Sequence, residues 1–96
     1  MARLQRTVRS RSDLKEIWTY IAQDNERAAE RVLAQIERRI ERLTRYPSLG
    51  VANDIRPGLR HLVSYPYRIV YRYDEARDVV TILAIVHGRR NQASAL

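Results

Sequence analysis

Three short segments in the last third of the chain hold the side chains best suited to chemistry: Arg56-Pro57-Gly58-Leu59-Arg60, Tyr67-Arg68-Ile69-Val70-Tyr71-Arg72 and Ile85-Val86-His87-Gly88-Arg89-Arg90. Together they read as a turn, two strands of alternating or apolar character, and a cationic exit, all within about 35 residues. Guanidinium groups on adjoining strand ends offer fixed, planar, fork-shaped donors, which suit a phosphate or carboxylate partner. The imidazole of His87 adds a group that exchanges a proton near neutral pH.

The rest of the composition narrows the choice of partner. Of 18 basic residues all but Lys15 are arginine, and 11 acidic residues leave a net charge of +7. Nucleic acid and a strongly acidic protein both supply anions in quantity, and charge alone does not separate them. A solvated arginine-rich surface is the third use of the same residues. The chain has no cysteine and two isolated histidines, which excludes disulfides, thiolate chemistry and sulfur-ligated zinc and predicts neither metal nor cofactor. No apolar run approaches a membrane span, and no apolar signal segment follows Met1-Ala2-Arg3, so the expectation is a cytoplasmic protein without membrane contact. Ninety-six residues predict a single domain over 1–96, burying about 65% of the surface its unfolded chain exposes.

The elements that must position these residues follow from periodicity. Leu4 and Val8 suggest a short first strand among Arg3, Arg6 and Arg9. Asp13 reads as an N-cap with Glu16 three residues on, and Leu14, Ile17, Trp18 and Ile21 recur at helical spacing, predicting a helix over about 13–23 with Trp18 in the core. Asp24-Asn25 breaks it and caps a second helix of about 20 residues, roughly 30 Å, with an apolar stripe of Ala29, Val32, Leu33, Ile36, Ile40 and Leu43. Its outer face mixes Arg31, Arg38, Arg42 and Arg45 with Glu30, Glu37 and Glu41, which predicts a solvated, ion-paired surface. The helix hairpin thus covers about 13–46, and a strand meander about 59–87, with strands at Leu59–Val63, Arg68–Tyr73 and Val79–Val86. In the middle strand Ile69, Tyr71 and Tyr73 point one way and Arg68, Val70 and Arg72 the other, so one face is basic. The last strand is apolar on both faces and belongs inside the sheet, with the helices on one side. The fold class is α+β, in the order β-α-α-β-β-β.

In this order and spacing the chain resembles the ParE/RelE superfamily of type II toxin–antitoxin toxins, also described as plasmid-stabilisation proteins. The resemblance runs from about Leu4 to Arg90 and is carried by Asp13-Leu14-Lys15-Glu16-Ile17-Trp18-Thr19-Tyr20-Ile21-Ala22, Ala28-Ala29, Arg45-Tyr46-Pro47-Ser48-Leu49-Gly50 and the three segments named first. It implies a helix hairpin on a small, mainly antiparallel sheet, and a growth-arresting toxin held inactive in a hetero-oligomer by a co-expressed, acidic or partly disordered antitoxin. Such a partner is expected to fold into a groove beside the hairpin or along the sheet edge, with affinity that falls as salt screens the charges.

Two activities exist within the superfamily: ribosome-dependent mRNA endonucleases, which need no metal, and ParE-like poisons of DNA gyrase. Attack of a 2′-hydroxyl needs a proton acceptor, a proton donor and cations for the phosphorane. Arginine, always protonated, serves only the last. The relatives that cut RNA typically use a lysine cluster or a glutamate near the second strand of the sheet, where this chain has Ala52-Asn53-Asp54-Ile55-Arg56 and no lysine. The reading is therefore a gyrase inhibitor with no catalytic residue, whose target contacts are Arg68, Arg72, His87, Arg89 and Arg90. On the nuclease alternative Arg60, Arg68 and His87 are the catalytic candidates, because Arg68 matches the arginine of those enzymes and His87 lies near their terminal residue. The competing uses are structural: Arg68 paired with Asp74 or Asp78 at a sheet edge, His87 hydrogen-bonded at a strand end, and most of Tyr65, Tyr67, Tyr71 and Tyr73 packed on the helices instead of stacking bases.

Overall fold

The computed structural model describes residues 1–52 and 56–88. The elements run β1 (Arg3–Arg6), α1 (Val8–Ala22), α2 (Glu26–Arg45), β2 (Val51–Ala52), β3 (Leu59–Ser64), β4 (Tyr67–Asp74) and β5 (Val79–His87). They form one five-stranded sheet in the order β1-β5-β4-β3-β2, with β1 parallel to β5 and the other pairs antiparallel. The α+β architecture expected from the sequence is present, with both helices on one side of the sheet. β2 is an addition: two exposed residues that pair with Arg60 and His61, too short for any alternation to announce them.

The first helix starts five residues earlier than its apolar spacing predicts, and Asp13 is not its cap. Thr7 is: its Oγ1 accepts from the Ser10 N–H (3.0 Å) and donates to the Leu83 carbonyl (2.8 Å), tying the helix start to β5. The polar run Val8-Arg9-Ser10-Arg11-Ser12 hides this turn, because Val8 faces solvent and the residue that is buried is Ser10. Val8 accordingly lies in the helix and not in β1. Asp13 does accept a backbone N–H, but from the sheet: its Oδ2 is 2.9 Å from the Ile85 nitrogen, on the edge of β5 that β1 leaves uncovered beyond Ile82. The second helix follows expectation, with Asn25 Oδ1 accepting from Ala28 (3.0 Å) and with Ala29, Ile36, Ile40 and Leu43 buried.

The core between the layers joins Leu14, Ile36, Ile40 and Leu43 of the helices to Ile69, Tyr71, Val80, Ile82 and Ile85 of the sheet. Trp18, expected in the core, is only half-buried and does not belong to this cluster. Tyr67 and Tyr73 pack against the core and Tyr71 lies within it, whereas Tyr65 is exposed. On the other face of the sheet a smaller cluster of strand residues alone, Leu59, Val70, Ala84 and Val86, is buried.

A bulge in β5 decides which side chains share a face. Tyr71 pairs with Ile82 but Val70 with Ala84, so Leu83 has no counterpart on β4. Without it, Val80, Ile82, Ala84 and Val86 would all point to the helices. With it the alternation inverts, sending Ala84 and Val86 outward and Ile85 and His87 inward.

Candidate functional site

Of the three nuclease candidates only Arg60 stands apart, whereas Arg68 and His87 line one groove of about 290 Å³ at the end of the sheet. Arg60 lies opposite Tyr71 on the helix side of the sheet, where its Nη1 donates to the Gly50 carbonyl (2.9 Å). His87 is on the same side but opposite Tyr67, four residues along β4, which separates the two by about 13 Å along the strands. Arg68 leaves β4 on the other face, opposite Val63 and Val86, and its side chain reaches the sheet end beside Gly88.

The His87 ring meets Tyr67 edge-on, with centroids 5.8 Å apart and planes at 80°. Both line a groove of about 760 Å³ that opens between the end of the sheet and the flank of α1 carrying Asp13, Glu16 and Tyr20. Burial, and the field of Tyr20, push the Tyr67 phenol above its ordinary value, so this ring stays protonated at neutral pH. Arg68 is half-buried and Arg72 exposed on the face away from the helices. β4 is an inner strand and not an edge, and Arg68 pairs with neither proposed carboxylate: Asp74 lies 3.9 Å from Arg77, and Asp78 accepts from the Tyr73 hydroxyl (2.7 Å). Among the described residues no carboxylate lies at ion-pair distance from Arg68 or Arg72. Arg89 and Arg90 lie outside the described residues.

One residue near Arg68 escaped the sequence reading. His61 pairs with Val70 while Val63 pairs with Arg68, which puts His61 and Arg68 on one face as diagonal neighbours. The His61 Nδ1 is buried without a hydrogen-bond partner. Burial first, and the Arg68 charge second, hold its imidazole below the usual histidine range. The signal was in the sequence, since His61 follows Leu59 at a two-residue step, but only the strand register reveals its neighbour.

This gives a pH dependence with a definite sign. A folded-state value below 6.5 means that the unfolded chain binds the proton more readily, so the contribution is fully present above about pH 6.5 and is lost as pH falls from there through the lowered folded-state value. Between pH 7.5 and 5.5 the melting temperature of wild type is expected to drop more than that of His61→Gln. Parallel melting curves for the two proteins would remove His61 as the cause.

Among the described residues no cluster of three or more histidine, aspartate and glutamate side chains is placed to hold a metal ion. No helix among them is long and apolar enough to cross a membrane.

A helix hairpin on one side of a five-stranded, mainly antiparallel sheet is the architecture of the RelE/ParE class of toxin folds. The structure superposes on the chromosomal ParDE toxin–antitoxin system of P. aeruginosa with a TM-score of 0.74 at 22% identity, covering 91% of this chain and 96% of that one. It superposes on the RelBE2 toxin–antitoxin complex of Mycobacterium tuberculosis with a TM-score of 0.69 at 23% identity, covering 90% and 96%. The family description "ParE toxin of type II toxin-antitoxin system, parDE" matches residues 4–92. The chain is also 37% identical to toxin ParE3 of Caulobacter vibrioides over 98 residues, which span 100% of this chain and 96% of that protein. It belongs to the ParE toxin family of type II toxin–antitoxin systems.

Proposed function

We propose that the chain arrests growth by binding DNA gyrase in the cytoplasm, without cutting nucleic acid, and that its cognate antitoxin neutralises it by folding onto the toxin. The observation that carries this reading is the separation of Arg60 from Arg68 and His87. General acid–base catalysis needs donor and acceptor within about 3 Å of the reacting atoms, and Arg60 lies at the other end of the sheet from Arg68 and His87. Arg60 is engaged with the Gly50 carbonyl, a structural role. Arg68 and Arg72 remain as cations directed at a partner, and the match to the ParE toxin family supports this reading.

The nuclease alternative draws on two observations that set an imidazole beside a cation: His61 on the face of Arg68, and His87 in the groove that it shares with Arg68. Two assays separate the readings. Wild type, His87→Ala, His61→Ala and Arg68→Ala are placed with gyrase and relaxed plasmid, and separately with programmed ribosomes. Inhibited supercoiling with intact mRNA is the expected result, and His87→Ala should retain it. Codon-positioned mRNA cuts, reduced about 100-fold or more by loss of Arg68 or either histidine, would falsify the gyrase reading.

A further inference from the structure

The outer flank of α2 does not carry the ion-paired surface that its alternating charges predict. Its one ion pair among the described residues is Glu37 with Arg6 of β1, a bidentate contact at 2.8 and 2.6 Å. Glu41 also acts on Arg6, adding to the charge that holds that guanidinium protonated. The carboxylates of the second half of α2 thus serve β1, and Arg38, Arg42 and Arg45 are exposed with no carboxylate at ion-pair distance among the described residues.

These arginines form a stripe at i, i+4 and i+7. Like charges at i, i+4 cost a helix stability. Attraction to the negative end of the helix dipole offsets this for Arg42 and Arg45 in the last turn, but not for Arg38. A local rule broken without a compensating contact in the molecule marks a surface that meets something else. Beside the stripe the chain start is pinned to the helix end by the Ala2 N–H on the Thr44 carbonyl (2.7 Å), which places Met1 next to Tyr46. Met1 is 78% exposed and Tyr46 52%, and with Arg38, Glu41, Arg42 and Arg45 they line a shallow groove of about 440 Å³.

We propose that this groove is a docking surface for an acidic amphipathic peptide segment of the antitoxin. Its carboxylates pair with Arg38, Arg42 and Arg45, and its apolar side chains lie on Met1, Tyr46 and the arginine stems. The inference rests on the toxin–antitoxin reading above and adds the surface and the chemistry. A nucleic-acid backbone satisfies the arginines but leaves the apolar floor uncovered, so a peptide fits better.

The test uses the full-length toxin and two labelled amphipathic peptides of about four helical turns, identical except for glutamate or glutamine on the polar face, together with a short duplex DNA. The glutamate peptide is expected to bind, to weaken as salt rises, and to outbind the glutamine peptide. Arg38→Glu combined with Arg42→Glu should reduce binding about 30-fold or more, while the double lysine variant, which keeps both charges, should stay within about threefold. Circular dichroism melts confirm that each variant is folded. Equal binding of the glutamate peptide to wild type and charge-reversed protein, no binding to wild type, or stripe-dependent capture of DNA without peptide would each overturn the proposal. Growth arrest and gyrase inhibition by wild type are read separately, so a toxin that arrests growth but ignores the peptide defeats this surface alone.

Discussion

Replacing Tyr71 by alanine is expected to cost about 3–5 kcal/mol, a large part of the roughly 5–15 kcal/mol that holds a protein of this kind together. The ring is fully buried between the sheet and the helices. Its hydroxyl donates to the Pro47 carbonyl (2.7 Å) and accepts from the Gly50 N–H (2.9 Å), so one side chain clamps the α2–β2 connection to the sheet. Tyr71→Phe keeps the ring and removes the clamp, leaving buried backbone groups without partners at about 1–3 kcal/mol. Gly50→Ala attacks the same contact from the other side. A Cβ there would stand 2.7 Å from the Tyr71 ring and 2.7 Å from the His61 carbonyl, and a backbone oxygen in a paired strand cannot retreat. About 1–3 kcal/mol is expected from the overpacking. Because the two changes share one contact, the double variant should depart from additivity. Urea midpoints for the four proteins check this, and a Tyr71→Phe variant as stable as wild type would remove the clamp from the account.

The second large effect concerns the target. Arg68→Gln combined with Arg72→Gln removes both cations from the face away from the helices while roughly keeping their volume. Inhibition of gyrase is expected to fall about 30-fold or more, the scale of losing an interface hot spot. Stability should change little, because neither guanidinium has an ion-pair partner among the described residues. His87→Ala, on the other face, should leave inhibition near wild type. Undiminished supercoiling inhibition by the Arg68/Arg72 variant would move the target surface off this face, and the groove between α1 and the sheet end would become the next place to probe.

What the sequence determined by itself was whatever repeats along a single element. The stripe through Ala29, Ile36, Ile40 and Leu43 recurs with the helical period, the alternation from Tyr67 to Tyr73 with the strand period, and β5 is apolar on both faces; hairpin, middle strand and interior strand were legible from these. The resemblance to a toxin family was legible for the same reason, as a set of local segments in a fixed order. Tertiary structure alone decided which side chains meet. The Leu83 bulge inverted the alternation and turned His87 to the helix side of the sheet, so that it shares a groove with Arg68 only around the sheet end. Register set His61 beside Arg68, and the open edge of β5 turned Asp13 from an expected helix cap into the acceptor for Ile85. The charges of α2 followed the same logic, since Glu37 left its own helix for Arg6 and the arginines stayed exposed. Period and composition are properties of neighbours in the chain. A bulge, a register and an ion pair between elements depend on partners tens of residues away, whose positions no local pattern contains.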